Sequence, residues 1–420
     1  LSLTTGYTGT INLGTGTDTL TVTGTNSLNL SGVETLLGSS GNDTVTFTTV
    51  QSGISVDLGL GTDTLVLGSG ANSLAFSGIE LLQVASTGNV ADVLTLTGSS
   101  SGGTINMGSG TDTLALGAGS YSFAASGIES ITGTSGAENL SLTTGYTGTI
   151  NLGTGTDTLT VTGTNSLNLS GVETLLGSSG TDTVTFTTIQ SGISVDLGAG
   201  TDRLNLTSGT NTLAISGVDS LVATGSADTL TLTGSTSSAI IDLAGGNDAL
   251  SFTGAATGVS IIGGSGTDVV TLGNFTNSIS VSGVETVIGG TGTDRVAIDA
   301  ATSVNLGAGD ADILDLSAVS SINLGNAGTQ YQGIEKLDLR GGVTNTVTLN
   351  AQDVLDLSST TDTLLVRGDA GDTLSITASG WTNVGTQSNP QGETGTFNVY
   401  TQSVSGVTAT LLVENTVSVT

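Results

Sequence analysis

The stretch Leu13-Gly14-Thr15-Gly16-Thr17-Asp18-Thr19-Leu20-Thr21-Val22 decides the fold. It reads as the end of an apolar strand, a glycine turn, an aspartate and a second strand. Glycine tolerates positive φ at such turns, and aspartate can fold back on its own backbone or hold a cation. After the turn, Leu20 and Val22 face one way while Thr19 and Thr21 face the other. Near-copies occur at 59–65, 108–114, 153–159 and 198–204, and looser forms at 38–45, 177–184, 264–270 and 290–296. One such unit cannot bury a face alone, whereas many stacked copies can.

Working outward, residues 1–49 recur at 140–188 with Asn42 replaced by Thr181, which sets a long period of 139 residues. Inside it, a tag of serine, glycine, valine or isoleucine and an acid ends at Glu34, Glu80, Glu129, Glu173, Asp219 and Glu285. Glu34 to Glu80 and Glu173 to Asp219 are both steps of 46 residues. Each 46-residue unit splits into five short segments, such as 13–16, 18–23, 27–31, 34–37 and 44–48. Segments this short suit strand plus turn, and the same turn recurring with the same flanks predicts parallel stacking rather than hairpins. The expected inward residues are Leu13, Leu20, Val22, Leu28, Leu30, Val45 and Phe47, with Leu152, Leu159 and Val161 in the second copy. Aspartates 20 apart, at 43 and 63, 182 and 202, and 248 and 268, favour two strands per rung; gaps of 25, as from 18 to 43, fit three. The fold is therefore read as an all-β parallel β-solenoid, either β-roll or β-helix. The repeats span 1–345, and 346–420 form a small antiparallel β module that caps them. There, Phe397-Asn398-Val399-Tyr400 and Thr410-Leu411-Leu412-Val413 read as a strand pair around Ser405-Gly406.

Composition narrows the function. The 420 residues include 66 glycines and one proline, which excludes collagen, and regular apolar spacing argues against disorder. With 35 acidic and 5 basic residues, the net charge of −30 makes nucleic acid and anionic membranes poor partners. Cysteine and histidine are absent, so disulfides, thiolate metal sites and the commonest general base are excluded. No stretch is apolar for long enough to predict a membrane helix. The chain starts in mid-pattern at Leu1, as if cut from a longer protein.

Hard cations such as calcium suit aspartate oxygens at repeated turns. The turns of Asp268 and Asp294 carry a double glycine, and Asp310 and Asp312 form a dense pair. The remaining candidate ligands are Asp63, Asp112, Asp202 and Asp248. The competing explanation is that these aspartates only cap their own turns. Carboxylate pairs alone are weak support for catalysis in a repeat, and the reading is non-enzymatic. Threonine ranks such as Thr44/Thr46/Thr48 suggest ice binding, but fail at Val66, Ala115 and Asn205.

These turns resemble the glycine-rich calcium repeats of RTX-like proteins exported by Gram-negative type I secretion. The tail, with 352–358, Gly368-Asp369-Ala370-Gly371-Asp372, Trp381, Val399-Tyr400 and 409–413, resembles the C-terminal region of large type I secreted adhesins and surface-layer proteins. The resemblance implies export unfolded, folding on extracellular calcium and a place on the surface of a Gram-negative bacterium. The function expected is a structural repeat segment, an adhesin arm with calcium-stabilised turns. Alternatives are a self-assembling surface-layer or filament subunit, then a polysaccharide-degrading solenoid or an ice-binding protein. Expected partners are further copies of the chain, or surface glycans and cells reached through regions outside it.

Overall fold

A computed structural model describes all residues except 86–87, 300–301, 310, 326–329 and 378. The chain divides into two compact units, Leu1–Asn205 and Leu206–Thr420.

In the first unit each strand pairs in parallel with the next but one, so a rung has two strands. Thr8–Asn12 pairs with Thr25–Ser31, which pairs with Thr44–Phe47 and then Thr64–Gly68. On the other sheet, Thr19–Thr21 pairs with Thr35–Ser39, then with Ser52–Gly59 and Ala71–Ser77. This settles the cross-section as a two-strand roll. The five segments of a 46-residue unit thus make two and a half rungs, and three units make seven and a half. The 139-residue copies therefore fall on opposite sheets. Thr8–Asn12 lies in one sheet, while its near-identical counterpart Thr147–Gly153 lies in the other, paired with Ser130–Thr134 and Thr164–Ser170.

Alternation puts the predicted residues in the core. Leu20, Val22, Leu28, Val45, Leu152, Leu159 and Val161 are fully buried, and Leu30 and Phe47 nearly so. Leu159 stacks between Leu140 and Leu175 of the adjacent rungs. Leu13 departs from expectation and is only half-buried, because it lies on the outermost rung; Leu152, stacked on both sides, is fully covered. Buried asparagines hold the strand starts. Asn26 Oδ1 accepts from the Tyr7 N–H at 3.2 Å, and its Nδ2 donates to the Thr23 carbonyl at 3.0 Å. Asn165 repeats this with Tyr146 and Gly163 at 2.9 and 3.0 Å. The tag glycine is obligatory: Gly32 has φ +57°, and a Cβ there would lie 2.3 Å from the Gly14 carbonyl oxygen of the preceding rung. On the outer faces Thr46 lies beside Val66, Thr95 beside Ala115 and Thr185 beside Asn205, so the threonine ranks are interrupted.

The second unit continues the pattern, with Thr229–Leu232, Ala249–Phe252 and Val269–Thr271 in one sheet and Ile240–Asp242, Ala256–Ile262 and Asn277–Ser282 in the other. Parallel pairing persists past residue 345, through Lys336–Asp338, Thr363–Arg367 and Val407–Glu414. The antiparallel part is Thr382–Ser388, Thr396–Val404 and Val407–Glu414. Its hairpin turns at Ser405 and Gly406, both at positive φ, where the sequence placed it. Its core is small: Leu365, Phe397 and Leu412, with Val399 against them. A short helix, α1 (Ala351–Leu357), starts at Asn350, whose side chain caps it while Asp353 reciprocates. Among the described residues no helix is long and apolar enough to cross a membrane.

Candidate functional site

The turn acids form columns along the edges of the roll. In the first unit the Asp43 carboxylate accepts from the Gly24 N–H. Asp63 Oδ1 accepts from the Asp43 N–H at 2.7 Å, and Glu80 Oε2 accepts from the Asp63 N–H at 2.7 Å. A second column repeats this through Gly70, Asp92, Asp112 and Glu129, at 2.6, 2.8 and 2.8 Å. Further columns join Asp18 to Glu34, Glu138 to Asp157 and Glu173, and Gly163 to Asp182 and Asp202. Most of these carboxylates thus satisfy a backbone donor one rung earlier, and the N–H groups of Asp43, Asp92, Glu138 and Asp182 are buried where water would not supply an acceptor. Because a unit has five strands, successive columns change edge. Asp18 lies where the chain passes from the first sheet to the second, and Asp43 where it returns.

In the second unit one column runs through Gly209, Asp228, Asp248, Asp268 and Glu285, with bonds of 2.7, 2.7, 2.9 and 2.7 Å. Another joins Asp294, Asp312 and Glu335, at 2.8 and 3.1 Å.

The second oxygen of each acid separates two kinds of turn. In three columns the first aspartate has it satisfied by a serine or threonine four residues earlier. Asp43 Oδ2 accepts from Ser39 N–H and Oγ at 2.7 and 2.9 Å; Asp182 and Asp228 do the same with Ser178 and Thr224. At Asp63, Asp112, Asp157 and Asp268 that earlier position is glycine, and at Asp248 and Asp312 it is alanine. There Oδ2 is buried without a hydrogen-bond partner, as it is at Asp18 and Asp92. Burial pushes the carboxyls of Asp63, Asp112, Asp157, Asp248 and Asp268 above the usual range, and the neighbouring acids of the column add to it. Asp312 is raised to about 7, first by burial and then by the charges of Asp294 and Glu335, against the opposing Asp294 N–H bond.

Of the candidate ligands, Asp63, Asp112, Asp202, Asp248, Asp268, Asp294 and Asp312 are all buried in these columns. Asp310 lies outside the described residues. Asp294 differs from the rest, since Asn277 Nδ2 and the Gly290 N–H occupy its two oxygens at 2.7 and 3.3 Å. The expected ligand set leaves out Asp157 and the opening turn's own Asp18, and Asp92, the column heads' second-oxygen bonds and the closing role of the tag glutamates were not read from the sequence. Their signal was the spacing: the closing glutamates Glu80, Glu129, Glu173 and Glu285 lie 16 or 17 residues after their aspartates, one short rung, whereas Glu335 lies 23 after Asp312. Among the described residues, no three acidic side chains converge on one point as a carboxylate-only metal centre. A cation on a lone Oδ2 would need backbone carbonyls and water to complete its oxygen shell.

The pH dependence of the metal-free protein follows. Asp312 rises from 3.8 to about 7 on folding, so the folded state holds its proton more tightly than the unfolded state. That contribution is fully present below about pH 4 and lost as pH rises through about 7. Melting in a metal-free chelating buffer is expected to occur at a higher temperature at pH 5 than at pH 8, and Asp312→Asn is expected to flatten the difference.

No protein-family model matches the chain, no curated protein matches it, and no solved structure matches it.

Proposed function

We propose that the chain is a structural, non-catalytic segment of a secreted, RTX-like surface protein of a Gram-negative bacterium, acting as an adhesin arm whose turns are stabilised by calcium. The observation that carries this reading is the set of buried, unpartnered Oδ2 atoms at successive glycine turns. Left alone, a buried carboxylate oxygen is costly, and a hard divalent cation is the ligand its chemistry suits. Asp63, Asp112, Asp157, Asp248, Asp268 and Asp312 are the side chains that would hold it. The ion would supply positive charge against a net charge of −30 and leave the Oδ1 bonds to the preceding rung in place. The job is spatial: each rung adds length through the same backbone ladder, without a unique pocket.

The alternative is a surface-layer or filament subunit. The near-identical copies present the same residues on opposite sheets: Thr19, Thr35 and Ser55 on one, Thr158, Thr174 and Ser194 on the other. A self-associating patch displayed on both faces would build open layers rather than closed dimers. Electron microscopy of purified chain with and without calcium separates the two. The arm reading expects separate particles in both conditions, whereas ordered sheets or filaments would replace it with the assembly reading.

A further inference from the structure

Among the described residues of the second unit, two of the sheets end under other structure rather than as a bare parallel strand. The sheet holding Ser303–Asn305 and Tyr331–Gln332 meets helix α1, and the Ile334 N–H donates to the Leu357 carbonyl at 2.8 Å. The small sheet of Ser321–Asn323, Thr346–Leu349 and Thr373–Ile376 continues in parallel to Ser418–Val419. The third sheet runs in parallel to Val407–Glu414 and is then covered by Thr396–Val404 in the reverse direction, with Thr382–Ser388 outside it. That outer strand is exposed along its whole length and carries a bulge at Val384, between Asn383 and Gly385. Helix cover and bulges are among the devices that keep an edge from templating another strand.

The hairpin is also locked down. Phe397 is fully buried against Leu365 and Leu412. Four of the chain's five basic residues gather beneath it. Lys336 pairs with Glu393 at 3.0 Å, and Arg367 holds Glu393 and Glu414 at 2.5 and 3.2 Å. Arg295 and Arg340 meet Asp338 at 2.8 and 2.7 Å.

We propose that residues 382–404 are an end-stop that prevents Val407–Glu414 from pairing with a strand of a second copy of the chain. The occupant excluded is a parallel rung, because the strand laid over that edge runs the opposite way. The device deepens the arm reading, which needs a chain that does not polymerise through this edge.

The test compares the intact chain with two variants by analytical ultracentrifugation and electron microscopy. In one, residues 379–405 are replaced by a short glycine–serine linker; in the other, Val384 is deleted to straighten the outer edge. Circular dichroism and melting confirm folding of each. The linker variant is expected to associate at a concentration about tenfold or more below the intact chain, a change of 1.4 kcal/mol or more. Deleting Val384 should act in the same direction more weakly, and adding Thr386→Lys should reverse it. Folded variants that associate no more readily than the intact chain would overturn the end-stop. If only the Val384 deletion folds, its unchanged association does so alone. Assembly of the intact chain itself would instead count against the arm reading.

Discussion

Leu159→Asp is expected to destabilise the first unit by about 4 kcal/mol or more, at the upper end of single-residue effects. Leu159 is fully buried and stacked rung upon rung between Leu140 and Leu175. An aspartate there would bury a charge with no partner, and two neighbouring leucines would lose their contact. The roll is only two strands wide, so no thicker core exists to absorb the change. Thr160→Asp, one residue on and facing outward, should shift stability by no more than about 0.5 kcal/mol. Urea unfolding followed by circular dichroism measures both. Equal effects of the two would contradict the inward and outward assignment.

The second large effect concerns the columns, and the sign depends on the substitute. Asp63→Ala removes the acceptor for the buried Asp43 N–H, a bond of 2.7 Å. Leaving that donor unsatisfied should cost about 1–3 kcal/mol. Asp63→Asn keeps an oxygen for the same donor while removing a buried anion whose second oxygen is unpartnered. In metal-free buffer the asparagine variant should therefore melt no lower than the parent, and it should lose the local response to calcium. A drop for Asn matching that for Ala would show that the charge itself, rather than the Oδ1 bond, holds the turn.

Much of this was legible in the sequence. The alternation of Leu20 and Val22 with threonines, and the recurrence of one turn with one set of flanks, gave parallel strands and their inward faces. Ser405-Gly406 gave the terminal hairpin. The cross-section could not be read, because five segments per unit divide evenly into neither two nor three strands. Only pairing shows that a unit is two and a half rungs and that its copies change sheets. The aspartates were read as capping their own turns or binding metal. Their Oδ1 atoms instead cap the rung before, a partner about 20 residues away that local pattern cannot reveal. Serine at 39 and 178, threonine at 224 and glycine at 59 and 108 do encode which second oxygens are satisfied, four residues ahead of the acid. Helix α1 was missed: it is two turns long, and its signal is the Asn350–Asp353 capping pair in a strand-like context.

The most direct test of the central claim is calorimetry of calcium added to metal-free protein, by titration and by thermal scan at pH 7.5. The calcium-stabilised reading predicts binding heat at several sites, a rise in melting temperature and loss of part of that heat in Asp268→Asn. No heat and an unchanged melting temperature would contradict it, leaving the columns as purely hydrogen-bonded caps.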